Sequence, residues 1–251
     1  MSWQEGALLA VAAAAGGALN SFAGGGSFLT LPTLLLTGVG PIEANATSTV
    51  ALWPGSAAAA VGYRRELPGE GAAWLWLGMP SLVGGVLGAL LLVKTPPAVF
   101  LAVLPVLLLT ATLVFTFGEA IQRRLPGRTH AMGRLPTALA QLLVASYGGY
   151  FGGGMGLMLL AVLSLAGLSD IHRMNGVKSV LAVLINGVAV VTFVVAGKVA
   201  WDQAAVMIAA AMAGGFGGAS WARRLDPRYM RRLVVAIGWV LTAYFFARAL
   251  K

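Results

Sequence analysis

Apolar runs of about 15–26 residues recur along the whole of this chain, separated by short connections. That pattern constrains the fold more than any other feature. In a bilayer every backbone N–H and C=O must find a partner within the protein, so only α-helices and closed β-barrels can span it. A barrel needs strands of about ten residues alternating apolar and polar positions, and no such alternation is present. Hydrophobic residues make up 59% of the sequence and charged residues 10%, with a mean hydropathy of +0.85. A soluble domain carries about 25% charged residues. The expected fold class is an all-α polytopic membrane protein.

The formal net charge of +9 would suggest nucleic acid in a soluble protein. Here the basic residues cluster at the edges of apolar runs, where membrane orientation accounts for them, and no nucleic-acid partner is expected. The absence of cysteine excludes disulfides, thiolate catalysis and thiolate metal sites. Residues 1–6 lack the basic start of a signal peptide, so the run from Ala7 reads as a retained first helix.

Ten helical segments are expected, at 4–22, 27–39, 44–62, 71–93, 97–117, 136–150, 155–168, 171–196, 201–222 and 228–247. The second and seventh are too short to cross a hydrocarbon core of about 30 Å. Each follows a glycine triplet, Gly24-Gly25-Gly26 or Gly152-Gly153-Gly154, which reads as the tip of a broken or re-entrant pair. The chain divides into a first transmembrane repeat over 1–117, a basic connecting loop over 118–135 and a second repeat over 136–251.

The repeat shows as a constant offset of 130 residues. It pairs Asn45 with Asn175, Thr49 with Ser179, Gly84-Gly85 with Gly214-Gly215, Gly88 with Gly218 and Pro97 with Pro227. The triplets pair at 128, so a two-residue indel separates triplet from asparagine. With connections placed on alternate sides, twelve Lys and Arg fall on the side of the 63–70 connection and four on the other, with Lys178 inside a segment. The richer side is cytoplasmic by the positive-inside rule, which places both termini outside. The connection at Lys94 carries one cation and its counterpart at 223–232 carries five. Matching loops on opposite faces should differ in this way, and the expected architecture is two five-segment inverted repeats. Gly84, Gly88, Gly214 and Gly218 read as positions of close helix approach.

Polar residues within the apolar segments define the candidate site. Asn45, Ser48, Thr49 and Ser56 are spaced to share one helical face, and Asn175, Lys178, Ser179 and Asn186 repeat that spacing. Interhelical hydrogen bonding explains such residues individually; recurrence at matching positions favours a shared binding site. Lys178 lies about seven residues into its segment, ~10 Å along the axis. A cation at a helix centre costs about 2.5–3.5 kcal/mol on insertion, which marks a pathway or site, although a lysine head can also snorkel toward water. Its repeat counterpart is Ser48. The glycine triplets, with Asn20 and Ser27 beside the first, precede helix N-termini whose free amides attract anions.

Pro54-Gly55 reads as a kink and hinge in the third segment, with Leu184-Ile185 at the matching place in the eighth. Glu43 and Ser169-Asp170 read as helix N-terminal capping groups, His172 as a surface residue, and Glu119 as part of a solvated connection. Trp53 and Trp201 fit either interfacial anchors or gates. His130 and His172 form no metal-ligand spacing or nucleophile–base pair within an apolar segment, and no phosphate-loop motif for ATP is present. No enzyme activity, cofactor or metal is expected.

The run AGGGSFLTLP followed by ANATSTVALWPG, with weaker copies at GGYFGGGMGLMLL and MNGVKS, resembles the sulfite exporter TauE/SafE family of bacterial membrane permeases. The resemblance covers nearly the whole chain. It implies transport of a small sulfur-containing anion such as sulfite, thiosulfate or sulfoacetate, in a multi-pass inner-membrane protein. It carries the family's glycine motif to the two triplets and its Ala/Gly-Thr-Ser motif to Ala46, Thr47 and Ser48. In the second half Gly176, Val177 and Lys178 stand where that motif is expected, and no proline matches Pro32.

The expected function is a secondary transporter for a small anion, working by alternating access of the two repeats. Its partners would be the substrate, the bilayer and, where flux is coupled, a proton or sodium ion. A non-transporting membrane scaffold and an anion channel stand as alternative readings.

Overall fold

The computed structural model describes residues 1–22, 25–62, 72–124, 132–222 and 227–249. Over these residues the chain is an all-helical polytopic membrane protein. Ten helices follow one another: α1 (Trp3–Phe22), α2 (Ser27–Leu36), α3 (Pro41–Gly62), α4 (Ala72–Lys94), α5 (Pro97–Arg124), α6 (Arg134–Tyr150), α7 (Met155–Leu165), α8 (Ile171–Val195), α9 (Trp201–Ala222) and α10 (Pro227–Ala249). Among the described residues, three helices are long and apolar enough to cross a membrane by length and composition alone: Trp76–Lys94, Pro97–Gly118 and Ile171–Val195.

All ten expected segments are present, with shifted ends. α3 starts three residues early, at Pro41, because proline at the first helical position has a preset φ and lacks only an amide that would go unpaired. α5 runs past the expected boundary at 117 to Arg124. Gly118 costs a helix only about 1 kcal/mol, and the Glu-Ala-Ile-Gln-Arg-Arg that follows is good helix-forming sequence. Part of the stretch expected as connecting loop, including Glu119, is therefore helical; residues 125–131 lie outside the described residues. α3 continues unbroken through Pro54, so the expected kink does not interrupt the helix. α2 and α7 have 10 and 11 residues, or about 15–17 Å at 1.5 Å per residue.

The packing rests on glycine. α1 lies against α9 and α4 against α6, each pair bringing one helix from the first five together with one from the last five. A Cβ on Gly17 would run into the Ala211 carbonyl, and one on Gly214 into the Ala14 carbonyl. In the other pair a Cβ on Gly88 would strike the Ser146 carbonyl and one on Gly149 the Gly85 carbonyl, while Gly84 has 2.6 Å to Leu142 O. Lipid supplies no hydrophobic drive between helices, so close backbone approach supplies the attraction. The remaining main pairings also recur when α1–α5 and α6–α10 are exchanged: α3 with α9 and α8 with α4, α2 with α3 and α7 with α8, and α3 with α8 and α5 with α10, which map onto themselves.

Two contacts join positions 130 residues apart. Trp53 Nε1 donates to the Val183 carbonyl at 3.2 Å, and the hydroxyls of Thr112 and Thr242 lie 3.4 Å apart. Trp53 is thus held where the halves cross, rather than as a free interfacial ring, whereas Trp201 is exposed. α3 and α8 run in opposite directions, because Glu43 in the first turn of α3 meets Lys198 just beyond the end of α8.

Gly88→Val should lower the melting temperature of detergent-purified protein by several degrees or prevent folding, since overpacking costs about 1–3 kcal/mol or more. Gly55 has nothing within 4 Å of an added Cβ, so Gly55→Ala should hold or raise that temperature, by up to about 1 kcal/mol of helix propensity. Thermal unfolding of the two variants beside the parent checks both.

Candidate functional site

The first glycine turn is buried. Gly25 and Gly26 are both enclosed, and Gly24 lies outside the described residues. Gly26 has ordinary helical φ of −56°; glycine is needed there for space, because a Cβ would lie 2.5 Å from the Gly16 carbonyl. The Gly26 carbonyl accepts from the Thr30 amide at 3.2 Å and from the Thr30 hydroxyl at 3.2 Å. Ser27, half-buried, opens α2. Asn20 Nδ2 donates to Ser56 Oγ at 2.9 Å, tying the end of α1 to α3.

The second turn differs in its backbone. Gly152 and Gly154 adopt φ of +81° and +76°, the left-handed region where L side chains are strained. A Cβ on Gly153 would lie 2.6 Å from the Phe151 ring. Tyr147 Oη donates to the Gly153 carbonyl at 2.7 Å, with the Leu107 carbonyl 3.3 Å away. α7 starts behind Gly154 without a side-chain cap, and its Met155 and Leu157 amides donate back to the Gly152 and Gly154 carbonyls at 3.3 and 3.2 Å.

α3 passes between these turns, with nearly every residue from Ile42 to Leu52 buried. Asn45 is 1% exposed; its Nδ2 donates to the Tyr150 carbonyl at 2.8 Å, just ahead of the second triplet, and its Oδ1 has no hydrogen-bond partner among the described residues. Ser48 shares a 2.6 Å hydrogen bond with Thr30, beside the first triplet. Thr47 Oγ1 accepts from the Ala200 amide at 3.0 Å. Thr49 donates to the Asn45 carbonyl of its own helix at 3.0 Å. The α3 stripe therefore touches both glycine turns.

The α8 stripe is satisfied locally. Lys178 Nζ donates to Asn175 Oδ1 at 3.0 Å, and Ser179 Oγ to the Asn175 carbonyl at 2.8 Å. Asn186 is half-buried. No side-chain hydrogen bond joins the two stripes among the described residues. Lys178 is half-buried and makes no ion pair among the described residues. At the start of α8 the Asp170 carboxylate accepts from the amides of Arg173 and His172, which holds its carboxyl below the usual aspartate range. It is the expected cap; Glu43, in the first turn of α3, also pairs with Lys198 at 3.1 Å.

Three groups escaped the sequence reading. Thr30, the partner of Ser48, follows Gly26 by four residues, one helical turn. Tyr147 and Tyr150 hold the second turn through a hydroxyl and a carbonyl. Gln141, fully buried in α6, donates to Ser81 Oγ at 2.7 Å; a glutamine inside an apolar run was the available signal. No cluster of three or more His, Cys, Asp or Glu able to hold a metal is present among the described residues.

Buried polar side chains thus gather around the paired turns of a polytopic helical membrane protein. The chain belongs to the sulfite exporter TauE/SafE family, which matches residues 8–245. It is 28% identical over 234 residues to a probable membrane transporter protein of Haemophilus influenzae, covering 90% of this chain and 88% of that one. It is 30% identical over 230 residues to the probable membrane transporter protein YfcA of Escherichia coli K12, covering 90% and 84%. A probable membrane transporter protein, ORF9, of a Sinorhizobium species is 33% identical over 167 residues, covering 64% and 62%. No solved structure gives a significant match.

Asn45→Ala should cost about 1–3 kcal/mol, because it strips the Tyr150 carbonyl of its buried donor. Thr49→Val, which removes only a bond within α3, should cost less than half as much. Thermal unfolding in detergent compares them.

Proposed function

We propose that this transporter moves a small anion, a sulfur oxyanion or organosulfonate such as sulfite, thiosulfate or sulfoacetate, across the bacterial inner membrane. The observation that carries this reading is Lys178. It is the charged residue set deepest into an apolar helix, the eighth of α8, while all eight acidic residues fall in connections or near helix ends. A cation placed there without a carboxylate costs free energy that an anionic ligand offsets. Asn175 and Ser179 border it, and the first-turn amides of α2 and α7, behind Gly24–Gly26 with Ser27 and behind Gly152–Gly154, add partial positive charge. Asn20, Asn45, Thr47, Ser48, Thr49 and Asn186 complete the polar path.

Alternating access comes from the two interleaved repeats, residues 1–117 and 136–251, exchanging conformations, with Pro54-Gly55 as the hinge in α3. The antiparallel course of α3 and α8 supports inverted repeats, as does the twelve-to-four division of basic residues, which puts both termini outside the cytoplasm. A proton or sodium ion supplies any coupling, and the chain itself carries no catalytic step.

In proteoliposomes Lys178→Met should reduce saturable sulfite or sulfonate uptake at least ten-fold while the protein stays folded. Unimpaired uptake removes Lys178 from the site. Uptake by the parent that never saturates makes the chain a channel, and no uptake or binding of any small sulfur anion leaves a scaffold. Epitope tags at Glu70 and Lys198 should report opposite faces of the membrane; one shared face ends the inverted-repeat reading.

A further inference from the structure

Three polar contacts tie the first two turns of α3 to the other half of the molecule. Glu43 pairs with Lys198 at 3.1 Å. Thr47 Oγ1 accepts from the Ala200 amide at 3.0 Å, and Asn45 Nδ2 donates to the Tyr150 carbonyl at 2.8 Å. All three leave one end of one helix and reach the short α8–α9 connection or the end of α6. We infer that these contacts form a latch that holds the two halves shut at the Lys198 end, and that this latch must open for substrate to pass there. The inference rests on the two-half transporter reading.

Graded burial supports a latch over a fixed structural joint. Glu43 and Lys198 keep 34% and 35% of their side-chain surface exposed, so water reaches the pair and competes with it. Thr47 and Asn45, just inside, are 0% and 1% exposed. The arrangement is a wet outer clasp over a dry inner seam. Such a clasp biases a thermal equilibrium without freezing it, since exposed pairs shift an equilibrium only a few-fold. The Ala200 amide, just ahead of α9, is held to α3 through the Thr47 hydroxyl. The device is not duplicated by the repeat: 130 residues on, Glu43 and Thr47 become Arg173 and Val177. Sign and hydroxyl are both lost, so the opposite end cannot close by the same contacts, and the two gates respond to different substitutions.

The chain has no cysteine, so one introduced thiol is an unambiguous reporter. Ala51 lies one turn beyond Thr47 on the same face of α3 and is fully buried. Ala51→Cys is labelled with a membrane-impermeant maleimide in right-side-out and inverted vesicles, with Lys198→Cys in a separate protein identifying the face. From the Lys198 face the reporter should react slowly. Adding Glu43→Gln or Lys198→Gln should accelerate it about three- to five-fold, Thr47→Val should accelerate it as well, and the exchanged pair Glu43→Lys with Lys198→Glu should bring the rate back toward the parent's. Unchanged rates in the glutamine variants overturn the latch, and so does an exchanged pair that reacts as fast as the single variants. If a glutamine variant fails to fold, Glu43→Asp, shorter by one methylene, makes the same comparison with the same two outcomes. Labelling uses no substrate, so a protein that carries no sulfur anion yet shows this pattern retains the latch and loses only the substrate assignment.

Discussion

A carbonyl oxygen occupying the place of a missing Cβ is the contact on which this molecule depends. It occurs where α1 meets α9, at Gly17 and Gly214, and again where α4 meets α6, at Gly88 and Gly149. In lipid, apolar side chains gain nothing by leaving the hydrocarbon for one another, so helices adhere through backbone proximity and a few polar contacts. Both glycine seams join a helix of one half to a helix of the other. The halves are therefore interleaved, and each lacks a complete set of neighbours alone. That interleaving lets α3 and α8 run through the middle with polar side chains they could not expose to lipid.

Much of this architecture was legible in the sequence, because membrane helices are read from composition and length with little help from tertiary context. Segment number and order, the shortness of α2 and α7 and the close approach at Gly84, Gly88 and Gly214 all follow from local pattern. The end of α5 did not, since Gly118 is a weak breaker when helix-forming residues follow it. The site was legible by residue and less so by partner. Ser48 and Asn45 stood out as buried polar groups, but nothing in the spacing said that Ser48 meets Thr30 or that Asn45 holds Tyr150. Those are contacts between segments remote in sequence, and helical periodicity fixes only which residues share a face. Glu43 illustrates the limit: an acid in a first helical turn suits the dipole wherever it lies, and only packing revealed a cation beside it.

The two polar stripes, alike in spacing, are used differently. On α3 Ser48, Asn45 and Thr47 bond outward, to α2, α6 and the α8–α9 connection, while Thr49 turns back to its own helix. On α8 Lys178 and Ser179 bond back to Asn175 in the same helix, which leaves a charged group whose hydrogen-bond partner among the described residues is neutral. Two copies of one element thus divide the labour between cohesion and charge. A charge common to both stripes would have set two cations within one bundle; a serine in one and a lysine in the other avoids that repulsion.

The contacts Trp53–Val183 and Thr112–Thr242 connect each position with its own counterpart 130 residues away. Points of that kind lie on the line about which the two halves exchange places. Glu43 stands ten residues before Trp53, about 15 Å along α3, so its pairing with Lys198 lies well off that line. A contact on the line joins a residue to its own copy and is made once. A contact off it can be made twice or kept by one half alone, and with Arg173 at the place matching Glu43 this one is kept by one half alone.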